Sequence, residues 1–81
     1  MVEVTFSELF EKKFKKFTED KKIRIRKQIK KLLDNPEIGK PMRYNRRGTR
    51  EVYVGSFRLS YAYFIDKEKI ILLDFYHKDE Q

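Results

Sequence analysis

Cysteine and tryptophan are absent from this chain of 81 residues, and histidine occurs once, at position 77. Without cysteine the chain can form no disulfide framework, no cysteine-based zinc site and no thiol nucleophile. A zinc site needs three or four ligands, and one histidine with only Asp and Glu is an unusual set. The sequence therefore argues against a metal enzyme of the zinc type.

Long apolar runs are also missing. A helix that crosses a membrane needs about 20 predominantly apolar residues, and no stretch of this sequence comes near that length. The first ten residues lack the basic segment followed by an apolar run that marks a signal peptide. We therefore expect a soluble protein in the cytoplasm, with no membrane partner.

The size and charge of the chain predict one small basic domain. A single domain over residues 1–81 is already near the lower limit for an independent hydrophobic core. The formal net charge is +7, which points to a polyanionic partner. The excess lies in two blocks, +8 over residues 11–31 and +5 over residues 39–58.

Apolar spacing predicts two helices in the first half of the chain. Thr5 to Glu8 resembles a capping box, and an aromatic stripe follows at helical spacing, so a helix should run from there to about Phe17. The stripe consists of Phe6, Phe10, Phe14 and Phe17. A second helix should start at Thr18 and stop at Asn35 and Pro36.

The spacing changes to a period of two in the second half, which predicts strands over residues 50–54, 57–65 and 70–76. Gly55 and Ser56 suit a two-residue type II′ turn between the first two. Residues 2–4 and 42–44 are predicted as edge strands. The fold class is therefore α+β: an N-terminal strand, a helical hairpin, and an antiparallel β-meander packed on the helices.

The predicted registers separate the two faces of this meander. One face should contact the helices, and it carries Val52, Val54, Phe57, Leu59, Tyr61, Tyr63 and Ile65. The other face should hold a row of Tyr53, Arg58 and His77 across three strands, provided that Ile65 pairs with Ile70. A bulge near Asp74 would move His77 off this row. The same face should also carry an apolar patch of Phe64, Ile71, Leu73 and Phe75 that needs a partner.

Several of these segments resemble the RelE/ParE toxin superfamily, and archaeal RelE toxins in particular. The resemblance rests on Gly39-Lys40-Pro41, on the run Arg50-Glu51-Val52-Tyr53-Val54-Gly55-Ser56-Phe57-Arg58, and on His77-Lys78 near the end. Ser56 and Phe57 replace the usual Asp and Tyr of the family pattern. Tyr53 stands where a second basic residue is common.

The resemblance implies the toxin of a type II toxin–antitoxin system: a ribosome-dependent endoribonuclease that uses neither metal nor cofactor. Such a toxin cuts mRNA in the ribosomal A site and is neutralised by a RelB-type antitoxin. By position, Arg58, Lys78 and Arg50 match basic residues of the family pattern. From the predicted row we hypothesise that Arg58 clamps the scissile phosphate, that Lys78 and Arg50 add positive charge, and that His77 or Tyr53 moves the proton. Arg50 and a basic loop are expected to contact RNA; the loop residues are Arg43, Arg46 and Arg47.

Two other functions remain open. A ParE-like inhibitor of DNA gyrase would share the fold without nuclease chemistry, and a basic RNA- or DNA-binding module would need the charge alone. Individual residues also have simpler explanations. Arg58 could be an exposed strand arginine paired with Glu51, and a lone histidine near a C-terminus is usually solvated.

Overall fold

The computed structural model describes residues 2–42 and 48–80, without the side chain of Glu80. The elements are strand β1 (Glu3–Phe6), helix α1 (Glu8–Lys15), helix α2 (Glu19–Asp34) and strands β2 (Lys40–Pro41), β3 (Thr49–Val54), β4 (Phe57–Phe64) and β5 (Lys69–His77). Within the described residues the strands form one sheet in the order β1-β5-β4-β3-β2. β1 runs parallel to β5 and the other pairs are antiparallel. The predicted α+β fold is confirmed.

Helix starts follow from capping side chains. The Oγ atom of Ser7 accepts a hydrogen bond from the amide of Phe10 at 3.1 Å, so Ser7 is the N-cap of α1. The prediction that Thr5 caps this helix is wrong, because Thr5 lies in β1 opposite Ile71 of β5. The predicted start of α2 is confirmed, since Thr18 Oγ1 accepts from the amide of Lys21 at 3.3 Å. Neither helix is long and apolar enough to cross a membrane, in the part of the chain described.

The hairpin between β3 and β4 has the predicted register. Val54 pairs with Phe57 and Tyr53 with Arg58. Gly55 has a φ of 61°, and among the described non-glycine residues only Glu68 has a positive φ. A positive φ at the first turn position alone is the type II′ geometry, which glycine adopts without strain.

One strand pairing differs from the prediction. Phe64 of β4 pairs with Lys69, so the predicted pairing of Ile65 with Ile70 is wrong. Ile65 instead begins a short 3-10 turn and is 64% exposed. An edge strand lies at Lys40–Pro41; of the edge strand predicted at 42–44, residues 43 and 44 lie outside the described residues.

The hydrophobic core lies between the helices and one face of the sheet. Its fully buried side chains come from both layers: Phe10, Ile25, Leu32, Leu59, Tyr61, Ile70 and Leu72. Of the predicted core face, all but Ile65 pack into or against this cluster. Phe10, Phe14 and Phe17 of the aromatic stripe pack into or against this cluster. Phe6 lies in β1 and is 38% exposed, and its ring contacts that of Phe10 at 5.0 Å between centroids.

Tyr61 ties the sheet to the loop between α2 and β2. Its buried hydroxyl accepts a hydrogen bond from the amide of Gly39 at 2.9 Å and donates to the carbonyl oxygen of Pro36 at 2.8 Å. A Cβ atom on residue 39 would lie 2.5 Å from that hydroxyl oxygen. Glycine is therefore required there, because the backbone passes directly over the tyrosine. Burial raises the pKa of Tyr61 above its ordinary value of 10.0, against a smaller lowering by the Gly39 amide and the charge of Arg50.

We predict that Tyr61→Phe lowers the free energy of unfolding by about 1–3 kcal/mol, because the Gly39 amide and the Pro36 carbonyl lose a buried partner. The unfolded tyrosine releases its proton before the folded one, so stability of the wild type should fall as the pH rises above about 10. Urea unfolding of both proteins at pH 7 and at alkaline pH measures the two effects. Tyr53→Phe, at an exposed position, is the control; an equal loss there would contradict the assignment.

Candidate functional site

A cation–π pair lies on the sheet face turned away from the helices, which we call the far face. Tyr53 of β3 and Arg58 of β4 are direct cross-strand neighbours. The guanidinium carbon of Arg58 lies 3.8 Å from the centre of the Tyr53 ring, well within the range of a cation–π contact. The predicted pairing of these two side chains is thus present.

The guanidinium of Arg58 keeps most of its hydrogen-bonding capacity. Its Nη1 atom donates to the carbonyl oxygen of the preceding residue, Phe57, at 3.2 Å. Among the described residues Arg58 forms no ion pair, so the simpler explanation of a pair with Glu51 does not hold. A half-buried guanidinium with open donors and no carboxylate partner is suited to bind an anion.

Tyr76 of β5 is the cross-strand neighbour of Arg58 on the side away from β3. Its buried hydroxyl donates a hydrogen bond to the carboxylate of Glu51, which is also buried. The row across the three strands is therefore Tyr53, Arg58 and Tyr76. Neither Tyr76 nor Glu51 was among the predicted site residues.

A β-bulge in β5 explains why Tyr76 and not His77 faces Arg58. Ser60 of β4 pairs with Asp74, but the next residue, Tyr61, pairs with Leu72. Leu73 is therefore an extra residue, and every side chain after it changes face. The aspartate in the middle of an otherwise apolar run was the signal in the sequence for such a break.

The N-cap of α1 and a lysine from its last turn hold the bulge in place. Ser7 Oγ donates to the carbonyl oxygen of Leu73 at 2.8 Å. The Asp74 carboxylate accepts from the amide of Phe75 at 2.7 Å and from the ammonium group of Lys13 at 2.6 Å. The Leu73 carbonyl and the Asp74 carboxylate of the irregular segment thus each have a hydrogen-bond donor from outside the sheet, one a hydroxyl and the other an ammonium group.

His77 lies on the helix-facing side, opposite Phe57. The two rings meet edge to face at 5.3 Å, and His77 Nδ1 accepts a hydrogen bond from the amide of Asp79 at 3.2 Å. The predicted row with His77 is wrong because of the one-residue shift. Phe75 changes face for the same reason and is a core residue, only 4% exposed, instead of part of the predicted far-face patch.

The other predicted cations are distributed around the molecule. Arg50 points away from Arg58 to the loop before β2, where its Nη1 atom donates to the carbonyl oxygens of Gly39 at 2.8 Å and Glu37 at 3.1 Å. Lys78 is exposed beside the β3–β4 turn, and its amide donates to the carbonyl oxygen of Ser56 at 3.0 Å. The loop residues Arg43, Arg46 and Arg47 lie outside the described residues.

The far face can bind an anion with Arg58, and Tyr53 supplies a phenol next to it. Lys78 lies at the same end of the sheet, because its backbone amide donates to the hairpin turn. In the described part of the chain no three Asp, Glu or His side chains gather as metal ligands. The chemistry available is therefore binding of a phosphate-like group and hydrogen bonding or proton donation by a phenol.

Comparison with protein families gives one match. Residues 4–81 match the family described as ParE toxin of type II toxin-antitoxin system, parDE. A search of curated protein sequences found no match.

Several solved structures with the same fold are toxins or toxin–antitoxin complexes. The chain is similar to the toxin–antitoxin complex RelBE2 from Mycobacterium tuberculosis, with a TM-score of 0.85 and 22% identity over 95% of this chain and 98% of that one. It is also similar to the intact RelBE complex of E. coli, with a TM-score of 0.81 and 16% identity over 95% and 96% of the two chains. For the isolated E. coli RelE toxin the TM-score is 0.80 and the identity 15%, over 95% of this chain and 84% of that one. At these identities the likeness shows the fold.

We predict that Asp74→Ala destabilises the protein by about 1–3 kcal/mol, because the amide of Phe75 and the ammonium group of Lys13 lose their shared acceptor. Urea unfolding measures the loss. Asp66→Ala, in the exposed β4–β5 turn, removes the same group and should change stability by less than about 0.5 kcal/mol. Equal effects of the two substitutions would show that the carboxylate does not stabilise the bulge.

Proposed function

This chain belongs to the ParE toxin family of type II toxin–antitoxin systems, and within that family we propose that it is a ribosome-dependent endoribonuclease. Its substrate would be mRNA in the ribosomal A site, and the ribosome would be its second partner. One observation carries the proposal: the open guanidinium of Arg58, held on the ring of Tyr53 at 3.8 Å and free of a carboxylate partner among the described residues. A guanidinium with open donors suits a phosphate group of an RNA substrate.

The proposed reaction is attack of a ribose 2′-oxygen on the adjacent phosphorus. The 2′-oxygen forms a bond to phosphorus and gives its proton to water, while the bond to the 5′-oxygen of the next nucleotide breaks and that oxygen takes up a proton. Arg58 binds two non-bridging oxygens of the phosphate through its planar fork and stabilises the added negative charge. Lys78 adds positive charge at the same end of the sheet.

His77 and Tyr53 are the two residues predicted from the sequence as candidates for proton transfer. His77 lies on the opposite face from Arg58 and contacts Phe57 and Asp79. Tyr53 contacts Arg58 directly. We therefore assign to the Tyr53 hydroxyl the proton that the leaving 5′-oxygen takes up, and to its ring the positioning of Arg58.

Arg58→Ala should reduce cleavage of mRNA on translating ribosomes by about 100-fold or more, since it removes the main stabilisation of the phosphate charge. Arg58→Lys keeps the charge but loses the bidentate fork, and should remain well below wild type. Mapping of transcript ends measures the cuts, which should follow the codon phase and stay within translated regions. Lys67→Ala, an exposed cation at the other end of β4, is the control.

Intact cleavage by Arg58→Ala would refute the assignment, as would an equally large loss with His77→Ala. The family match also favours a second function, inhibition of DNA gyrase, because its description names ParE toxins. Gyrase-linked DNA breaks after expression, without cuts in mRNA, would support that function instead. Neither kind of damage would support a basic nucleic-acid-binding module.

We further propose that a RelB-type antitoxin covers the apolar part of the far face. Phe64 is 42% exposed, and Ile71 and Leu73 are partly exposed beside it on β5. The similar RelBE structures contain a RelB antitoxin. An amphipathic antitoxin segment with acidic residues would match both this patch and the net charge of +7.

Phe64→Ser should therefore weaken binding of the protein encoded beside the toxin gene by about five-fold or more, through loss of buried apolar area. Titration calorimetry with the purified pair measures the change. Ile65→Ser removes an even more exposed apolar side chain from the adjacent turn, and its affinity should stay near wild type. Equal weakening by both variants would contradict the placement.

A further inference from the structure

A groove runs along the β3 edge of the sheet, where α2 crosses over the strand. It has a volume of about 410 Å³, within the range of about 300–1,000 Å³ typical of small-molecule sites. β2 pairs with only Arg50 and Glu51 of β3, so the groove lies beside the following part of that strand. Its lining includes Gln28, Lys31, Ile38, Lys40, Val52 and Tyr53.

The groove combines apolar surfaces with polar groups at its rim. Ile38 is 49% exposed and Tyr53 is 59% exposed, so both present apolar area to solvent. Gln28 supplies an amide that can donate and accept hydrogen bonds. Lys31 and Lys40 supply ammonium groups, and neither forms an ion pair within the described residues. The carboxylate of Glu51, which also borders the groove, accepts the hydrogen bond from Tyr76.

These groups match the parts of a nucleotide. Aromatic and aliphatic side chains stack on a base, an amide can bond to its edge, and ammonium groups pair with phosphate. Bases within a duplex stack on one another and are not available for such contacts. A single-stranded segment is therefore the form of nucleic acid that fits.

Tyr53 connects the groove to the anion site. The same ring that carries the guanidinium of Arg58 at 3.8 Å also lines the groove. A strand whose phosphate is bound by Arg58 therefore has its neighbouring nucleotide beside Tyr53. Stacking on a tyrosine that is already positioned by a cation needs no rearrangement of the sheet.

We propose that this groove binds one nucleotide of single-stranded RNA, next to the phosphate held by Arg58. The inference rests on the proposed function, since that function supplies the phosphate at Arg58. Tyr53 is the stacking surface, and Gln28 with Lys31 contacts the base edge and the adjoining phosphate. The groove would then influence which sequences the toxin cuts.

The probe is a fluorescein-labelled RNA hexanucleotide with 2′-O-methyl riboses, which lacks the attacking hydroxyl and cannot be cut. Fluorescence anisotropy with the full chain, at one fixed salt concentration, gives the Kd. Tyr53→Leu should raise the Kd about ten-fold, as expected for loss of one base–aromatic stack, whereas Tyr53→Phe should stay within about two-fold of wild type. Tyr53 is an exposed residue, so both variants should fold.

A charge-matched pair tests the polar rim. Lys31→Glu should weaken binding more than Lys30→Glu, which makes the same charge change at the neighbouring residue of α2, outside the groove lining. The side-chain amide signal of Gln28 should shift in NMR spectra when the hexanucleotide is added. A hexanucleotide without bases should bind more weakly than the intact one.

Four results would overturn the inference: no binding by the wild type, wild-type affinity of Tyr53→Leu, equal effects of Lys31→Glu and Lys30→Glu, or equal affinity for the oligonucleotide without bases. A shift of the Gln28 signal only by an acidic peptide would make the groove a protein-binding site instead. If the wild type cleaves mRNA normally and the groove variants still bind the oligonucleotide with wild-type affinity, the assignment of the groove is wrong and the proposed nuclease activity stands. If the wild type binds the oligonucleotide in the groove but does not cut mRNA, the proposed nuclease activity is wrong and the assignment of the groove stands.

Discussion

Hydrogen bonds from Ser7 and Lys13 to the Leu73-Asp74 bulge join helix α1 and its N-cap to the middle of β5. This contact sets the phase of the last part of β5, because one extra residue turns every later side chain to the opposite face. Tyr76 consequently faces Arg58, while His77 packs edge to face on Phe57. The composition of the far face thus depends on side chains that come from the helix layer.

Two arginines on neighbouring strands show how the surroundings decide what a side chain can do. The donors of Arg50 are taken up by carbonyl oxygens of the loop that Tyr61 also holds. Among the residues that the structure describes, Arg58 contacts the carbonyl of its neighbour and the face of Tyr53 and has no carboxylate partner. The first arginine closes the connection between helix and sheet, and the second remains available for an anion. Both stand in the segment that resembles the toxin family, so residue type alone does not separate their roles.

Much of the fold could be predicted, because its signals are local. Thr18 before two acidic residues marks the start of α2, and Gly55 marks the type II′ turn that aligns Tyr53 with Arg58. The candidate site could be predicted only up to that hairpin. Its third member depends on a strand with an irregular register, and the apolar run of β5 fits either phase. The groove beside Tyr53 depends on how α2 lies across β3, which no spacing in the sequence specifies.

The helices, the meander, the first hairpin, the positive charge and the family resemblance follow from neighbouring residues or from the order of residues along the chain, and for that reason they can be predicted. Which distant residues meet depends on the tertiary structure. Lys13 and Asp74 are 61 positions apart, and Ser7 and Leu73 are 66 apart. Contacts at such separations depend on the packing of α1 against β5. For that reason Tyr76 joins Arg58 at the candidate site, whereas His77 does not.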